Sequence, residues 1–267
     1  LGSFGQKEIE TPNIDKLAND GMIFTDHYSG SPVCAPARSV LMTGMHTGTS
    51  PIRDNSEWGE RGNVWSFQSM LDNPELEGQR PLPDSIVTVA QVLKNNGYKT
   101  YMTGKWHVQL PVEKVFDVVV NKTPGMPNDN RGLFGKQLQV WKKESGQLSE
   151  LEKYMPVGYG RPINENDNSW ISSDTLQGGF WEGGKHWSEV LADDSIDFID
   201  QAKKDPSPFF MYLSFNAPHD PRQAPKEFLD LYPIEKIKLP SLGKKPDAAI
   251  LLIVHAFGFT IWNKAAS

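Results

Sequence analysis

The stretch Ser31-Pro32-Val33-Cys34-Ala35-Pro36-Ala37-Arg38-Ser39-Val40-Leu41-Met42-Thr43-Gly44 sets the only cysteine of the chain at the mouth of a predicted helix. Pro36 suits a first helical position, where its missing N–H is no loss. Residues 39–42 supply a short amphipathic turn, and Gly44 can end it. Cys34 then lies at a helix N-terminus, where unpaired backbone N–H groups and the positive end of the dipole favour an anion. Arg38, four residues on, projects from the same face. These residues suit an anion held beside a reactive side chain. The plainer alternative is a free cysteine buried as a small hydrophobe.

Upstream, Thr11-Pro12 gives a cap and a first-position proline for a helix that Gly21 closes, and residues 22–28 mix aromatic and β-branched side chains in a strand-like run. A strand that leads into a helix N-terminus is where open α/β sheets place ligands. Downstream, His46, Thr47 and Arg53 lie in a loop within reach of the same place, a surface or structural role being the simpler reading for His46. Residues 83–96 form the clearest helix, with Ile86, Val89, Ala90 and Leu93 in one stripe, Asp84 or Ser85 as cap and Gly97 as terminator.

Residues 98–103 then read as a strand running into Gly104-Lys105-Trp106-His107. If the backbone stays extended, Lys105 and His107 point the same way and reach one anion. Residues 110–187 are looser, and Trp141, Trp170, Trp181 and Trp187 there serve either a core or sugar-stacking platforms. Residues 188–204 form an amphipathic helix carried by Val190, Leu191, Ile196, Phe198 and Ile199. Its Asp193-Asp194 pair diverges by about 100° around the helix, which predicts solvated carboxylates rather than a metal site. Residues 208–215 are apolar nearly throughout, as in a parallel sheet covered on both faces. They deliver His219 to the sheet edge expected for Cys34 and Lys105. Residues 224–231 read as a short helix.

With 267 residues and 38% hydrophobic content, the chain can bury a substantial core as one large or two small domains. The 27 basic against 33 acidic residues give a net charge of -6, which argues against a broad nucleic-acid surface but leaves room for a local basic pocket. One cysteine excludes an intramolecular disulfide. No signal peptide is visible at Leu1, and residues 248–259, the longest apolar run, are too short to cross a bilayer.

Cys-x-Pro-x-Arg followed by a short apolar turn and Thr43-Gly44 resembles the signature of the sulfatase family, and Gly97-Tyr98-x-Thr100 before Gly104-Lys105-Trp106-His107 resembles its second signature. Pro218-His219 also resembles the family, and the likeness runs from about residue 11 to about residue 240. It implies a three-layer α/β/α sandwich of the alkaline-phosphatase-like type with a mostly parallel sheet, here incomplete, gathering Cys34, Arg38, Lys105, His107 and His219 at its carboxyl edge. It implies further that Cys34 is oxidised to formylglycine, whose hydrated aldehyde attacks sulfur with one hydroxyl and expels sulfate when the other is deprotonated. Arg38 would hold the hydroxyls, Lys105 would contact nucleophile and sulfate, His107 would take the proton, and His219 would contact sulfate or the leaving oxygen. The only metal ligand it leaves in this chain is the modified Cys34.

The function implied is hydrolysis of sulfate esters, on a sulfated small molecule or sulfated glycan. Calcium or magnesium and a formylglycine-generating maturation enzyme would be required, in the periplasm or secreted, with no nucleic acid and no membrane span. The family's two carboxylate pairs for the cation are not recognisable here. Residues 1–240 are therefore expected to be a partial catalytic domain, inactive alone, and residues 241–267 a tail foreign to it. A phosphoester or phosphonate hydrolase of the same fold, and an inactive remnant that binds sulfated glycans, are the competing readings.

Overall fold

A computed structural model describes residues 1–53, 55, 82–108, 110–123, 140–147, 149–150, 171–176, 179–219, 222–233 and 236–237. The frame is a parallel three-stranded sheet in the order β2-β1-β5, formed by β1 (Lys99–Lys105), β2 (Val118–Thr123) and β5 (Phe209–Ser214). β1 lies in the middle and is buried almost throughout, pairing Tyr101 with Val118 on one side and with Met211 on the other. The expected strands at 98–103 and 208–215 are thus present and parallel, but β5 is only partly covered, with Phe209 54% exposed.

Alternation along the strands sends side chains to two cores. Met102, Val119, Phe210 and Tyr212 pack on one face with Ala35 and Met42 of α2 (Cys34–Thr43) and Ala90 of α3 (Val89–Asn95). Tyr101, Val118, Val120 and Met211 pack on the other with Phe198 and Ala202 of α5 (Trp187–Ala202). Helices cover both faces of a parallel sheet, which makes three layers. The described residues also form a 3-10 turn (Gly2–Phe4), α1 (Pro12–Asp20), α4 (Val112–Val115), α6 (Lys226–Leu229) and a hairpin of β3 (Trp181–Glu182) and β4 (Lys185–His186), turned by Gly183 and Gly184 at φ 58° and 82°.

Several expectations are corrected. Residues 22–28 form no strand: Met22, Phe24 and Tyr28 are exposed, and no described strand pairs with them. α3 begins at 89 rather than 83, because Thr88 closes a capping box with Gln91, and Asp84 and Ser85 lie outside it. The buried stripe of α5 is Trp187, Leu191, Ser195, Phe198 and Ala202; Ile196 and Ile199 are exposed. Asp193 pairs with Lys185 as a solvated carboxylate would. Asp194, however, accepts from Thr103 Oγ1 at 2.6 Å and from Asn121 Nδ2, bracing α5 on the sheet. The loose region also holds β2, whose signal was Val118-Val119-Val120.

At Thr103/Gly104 the pairing of β1 with β2 slips by one residue. Gly104 takes φ 92°, and a Cβ there would sit 2.1 Å from the Ser214 carbonyl oxygen. Only glycine lets β1 pass β5 so closely and still turn towards Lys105. Gly104→Ala should cost about 2–4 kcal/mol in urea unfolding, from backbone strain plus overpacking. Native stability in that variant would remove this constraint.

Candidate active site

Three strand and helix ends converge. Cys34 is the first residue of α2, Lys105 the last of β1, and His219 follows β5 by five residues. Trp106 N–H donates to Thr123 O at 2.9 Å and its indole N–H to Leu110 O at 2.8 Å, which holds the chain while His107 turns at φ 51°. His219 N–H donates to Asn216 O at 3.1 Å, and Asn216 Oδ1 accepts from the buried Trp187 indole at 3.0 Å. These anchors bring both imidazoles into hydrogen bonds with the Cys34 side chain, with Lys105 beside it.

The hydrogen bond from His107, then that from His219, and the nearby Lys105 charge outweigh burial and lower the Cys34 thiol to about 4. Burial is the main cause of a depressed His107, with Lys105 and Arg38 adding to it, so that ring stays neutral near pH 7. Its Nδ1 is buried without a hydrogen-bond partner. Lys105 is 3% exposed, whereas His219 is exposed and marks the open side of the site.

The helix N-terminus differs from its sequence reading. α2 starts at Cys34 and Pro36 is its third residue, while Gly44 ends it in a left-handed turn as expected. Ala35 N–H is taken by Asn55 Oδ1 at 2.9 Å and Pro36 has no N–H, so the helix offers its dipole more than a row of free donors. Arg38 is fastened to the sheet: Nη1 donates to Lys105 O at 2.8 Å, to the Tyr212 hydroxyl at 2.9 Å and to Ser214 Oγ. Tyr212 and Ser214 were missed in the sequence, although hydroxyls two apart in an apolar strand were the available signal.

The remaining candidates divide between the surface, local turns and the core. His46 is exposed and its Nδ1 accepts from Gly48 N–H, Thr47 donates to Gly30 O, and Arg53 is exposed. Trp141, Trp181 and Trp187 are 4%, 5% and 5% exposed and so serve the core, leaving no face for a sugar; Trp170 and residues 241–267 lie outside the described residues. Among the described residues no group of three or more His, Cys, Asp or Glu side chains is arranged to hold a cation. Calcium takes six to eight oxygens. The described residues therefore do not fit it.

The Sulfatase family model matches residues 1–241. The chain belongs to the sulfatase family. It is 29% identical over 222 residues to an arylsulfatase of Klebsiella aerogenes, covering 83% of this chain and 40% of that protein. It is 27% identical over 239 residues to the N-acetylgalactosamine-6-sulfatase of Rattus norvegicus, covering 86% of this chain and 38% of that one. Among solved structures, Ps i-CgsB in complex with k-i-k-neocarrahexaose superposes with a TM-score of 0.53 at 27% identity, over 88% of this chain and 45% of that chain. The layers described above are thus those of the alkaline-phosphatase-like sandwich, and this sulfatase chain spans about two fifths of the length of its curated relatives.

In the unconverted protein, alkylation of Cys34 by iodoacetamide should reach half its plateau rate near pH 4, where the thiol is half ionised, rather than near the ordinary 9.0. His107→Ala should move that midpoint upward. A midpoint in the ordinary thiol range would show that the two imidazoles do not meet the sulfur.

Proposed function

We propose that residues 1–240 are part of the catalytic domain of a sulfuric ester hydrolase, and that Cys34, converted to formylglycine, is its nucleophilic position. The observation that carries this reading is the meeting of Cys34, Lys105 and both imidazoles at one sheet edge, with Arg38 tied to the same strand ends. The surroundings of Cys34 suit the modified side chain, since two imidazoles and a half-buried setting beside Lys105 can hold oxygens as they hold the thiol. Such a group supplies a hydroxyl that attacks sulfur and an aldehyde that reforms as sulfate leaves.

The chain's own residues divide the rest of the work. Lys105, buried beside Cys34, stabilises negative charge growing on the sulfuryl oxygens, and Arg38 adds a second fixed cation. His107, kept neutral by burial, can accept the proton whose loss lets the aldehyde return. His219, on the open side, is placed to meet the ester oxygen that leaves. A sulfated glycan is the proposed substrate class, on the likeness to N-acetylgalactosamine-6-sulfatase, and the periplasm or exterior the proposed location. The activity is assigned to the whole protein. The 1–267 chain alone, whose described residues gather no carboxylate set for a cation, is expected to be inactive.

The full-length protein, coexpressed with a maturation enzyme, should yield a Cys34 peptide whose mass records loss of the thiol and gain of an aldehyde, and should hydrolyse an aryl sulfate faster than the matching phosphate. Cys34→Ala should abolish turnover, and Lys105→Ala should lower kcat on the order of a hundred- to a thousandfold. An active enzyme carrying only an alkylatable thiol, or one that prefers the phosphate, would defeat the proposal.

A further inference from the structure

Arg38 reaches the site from α2, and a long side chain on a helix turn has several rotamers open to it unless something selects one. Three acceptors converge on its Nη1: the Lys105 carbonyl at 2.8 Å, the Tyr212 hydroxyl at 2.9 Å and Ser214 Oγ. Nη1 carries two protons. Three acceptors therefore occupy it fully and leave it nothing for a ligand. Nε and Nη2 make no hydrogen bond to any described residue, so the remaining edge of the guanidinium keeps its fork of donors for a bidentate partner. One turn along the same helix face lies Cys34, and the Arg38 charge is felt at His107.

The two side-chain acceptors are themselves immobile. The Tyr212 ring stacks on Phe116 at 6.2 Å and 12° and meets Trp106 edge-on at 6.2 Å and 81°, which fixes where its hydroxyl can be. Ser214 is 6% exposed at the last position of β5, beside Gly104 in the register. Tyr212 and Ser214 are two apart and share a face of β5, the face that receives α2.

We propose that Tyr212 and Ser214 are positioning residues of the anion site: by occupying Nη1 they turn the free edge of Arg38 towards a sulfate-like anion bound beside Cys34. This rests on the reading of the site given under Proposed function. It assigns a role to two residues that touch neither the nucleophile nor the anion. Each hydroxyl can be removed without changing the packing, as Tyr212→Phe and Ser214→Ala.

The test uses the unconverted 1–267 chain, in which inorganic sulfate should protect Cys34 against iodoacetamide at pH 6. In the Tyr212→Phe/Ser214→Ala double variant the sulfate concentration for half-protection should rise about five- to tenfold, the loss expected when hydrogen bonds that orient a charged group are removed. The alkylation rate without sulfate and the melting temperature should stay close to those of the unsubstituted chain. In an Arg38→Ala background the same pair should change half-protection by less than about twofold, because residues that act through one partner are not additive.

Unchanged protection in the double variant would overturn the proposal. So would an equal loss in the Arg38→Ala background, or a loss accompanied by a lower melting temperature and an altered unprotected rate, which mark a merely structural role. If sulfate fails to protect the unsubstituted chain, the anion-site reading itself falls, and the positioning role falls with it.

Discussion

The close passage of β1 and β5 at their carboxyl ends is the constraint on which the site depends. Gly104 lies against the Ser214 carbonyl with no room for a side chain between them, and the same two residues are partners in the parallel register. Parallel strands run their carboxyl ends to one edge, so the residues that follow each strand are neighbours however far apart they stand in sequence. Lys105 and His107 follow one, His219 the other. The slip of β1 against β2 at the same point bends the chain as it leaves the sheet, and the left-handed turn at His107 completes the change of direction. A glycine chosen for packing thereby decides where a lysine and a histidine go.

α2 is the second half of the construction. Its buried residues Ala35, Pro36, Ser39 and Met42 face the sheet, which leaves Cys34 and Arg38 over the strand ends. Arg38 then returns to the sheet through Nη1, touching β1 by a backbone carbonyl and β5 by two hydroxyls. One guanidinium links the helix to both strands whose ends carry the other site residues. A shift of α2 along the sheet would move the sulfur and strain this tie together, so nucleophile and cation are held as a unit rather than separately.

Legibility in the sequence followed the range of the physics involved. β1, β5 and α5 were readable because their patterns are local, and the placement of Cys34, Lys105, His107 and His219 at one edge because short motifs set them beside such elements. The start of α3 was misplaced because a capping box at Thr88 outweighed the apolar stripe that continued upstream to Ile86. Residues 22–28 had the composition of a strand but no described partner, and pairing is not a local property. β2 was hidden among residues with little period, three valines being too few to tell strand from loop. The Arg38 clamp was out of reach for a different reason. Its acceptors stand 67, 174 and 176 residues away, and only the register of β1 with β5 brings them to one nitrogen.

The charge balance gives the last step. Lys105 is almost fully buried and Arg38 half-buried, and burying cations is costly unless negative charge is near. In the unconverted chain the Cys34 thiolate supplies one such charge, held near 4 by the hydrogen bonds from His107 and His219 with Lys105 adding to them. Oxidation of that side chain to an aldehyde, as proposed for the active protein, removes the negative charge and leaves Lys105, Arg38 and the helix dipole in place. The cations then lose an internal counter-ion and turn their field on whatever anion enters. A sulfate ester carries one negative charge in its ground state, and more charge gathers on the bridging oxygen as the bond to sulfur breaks. The modification would therefore change the nucleophile from sulfur to oxygen and also strengthen an attraction for anions that the single thiolate charge offsets only in part.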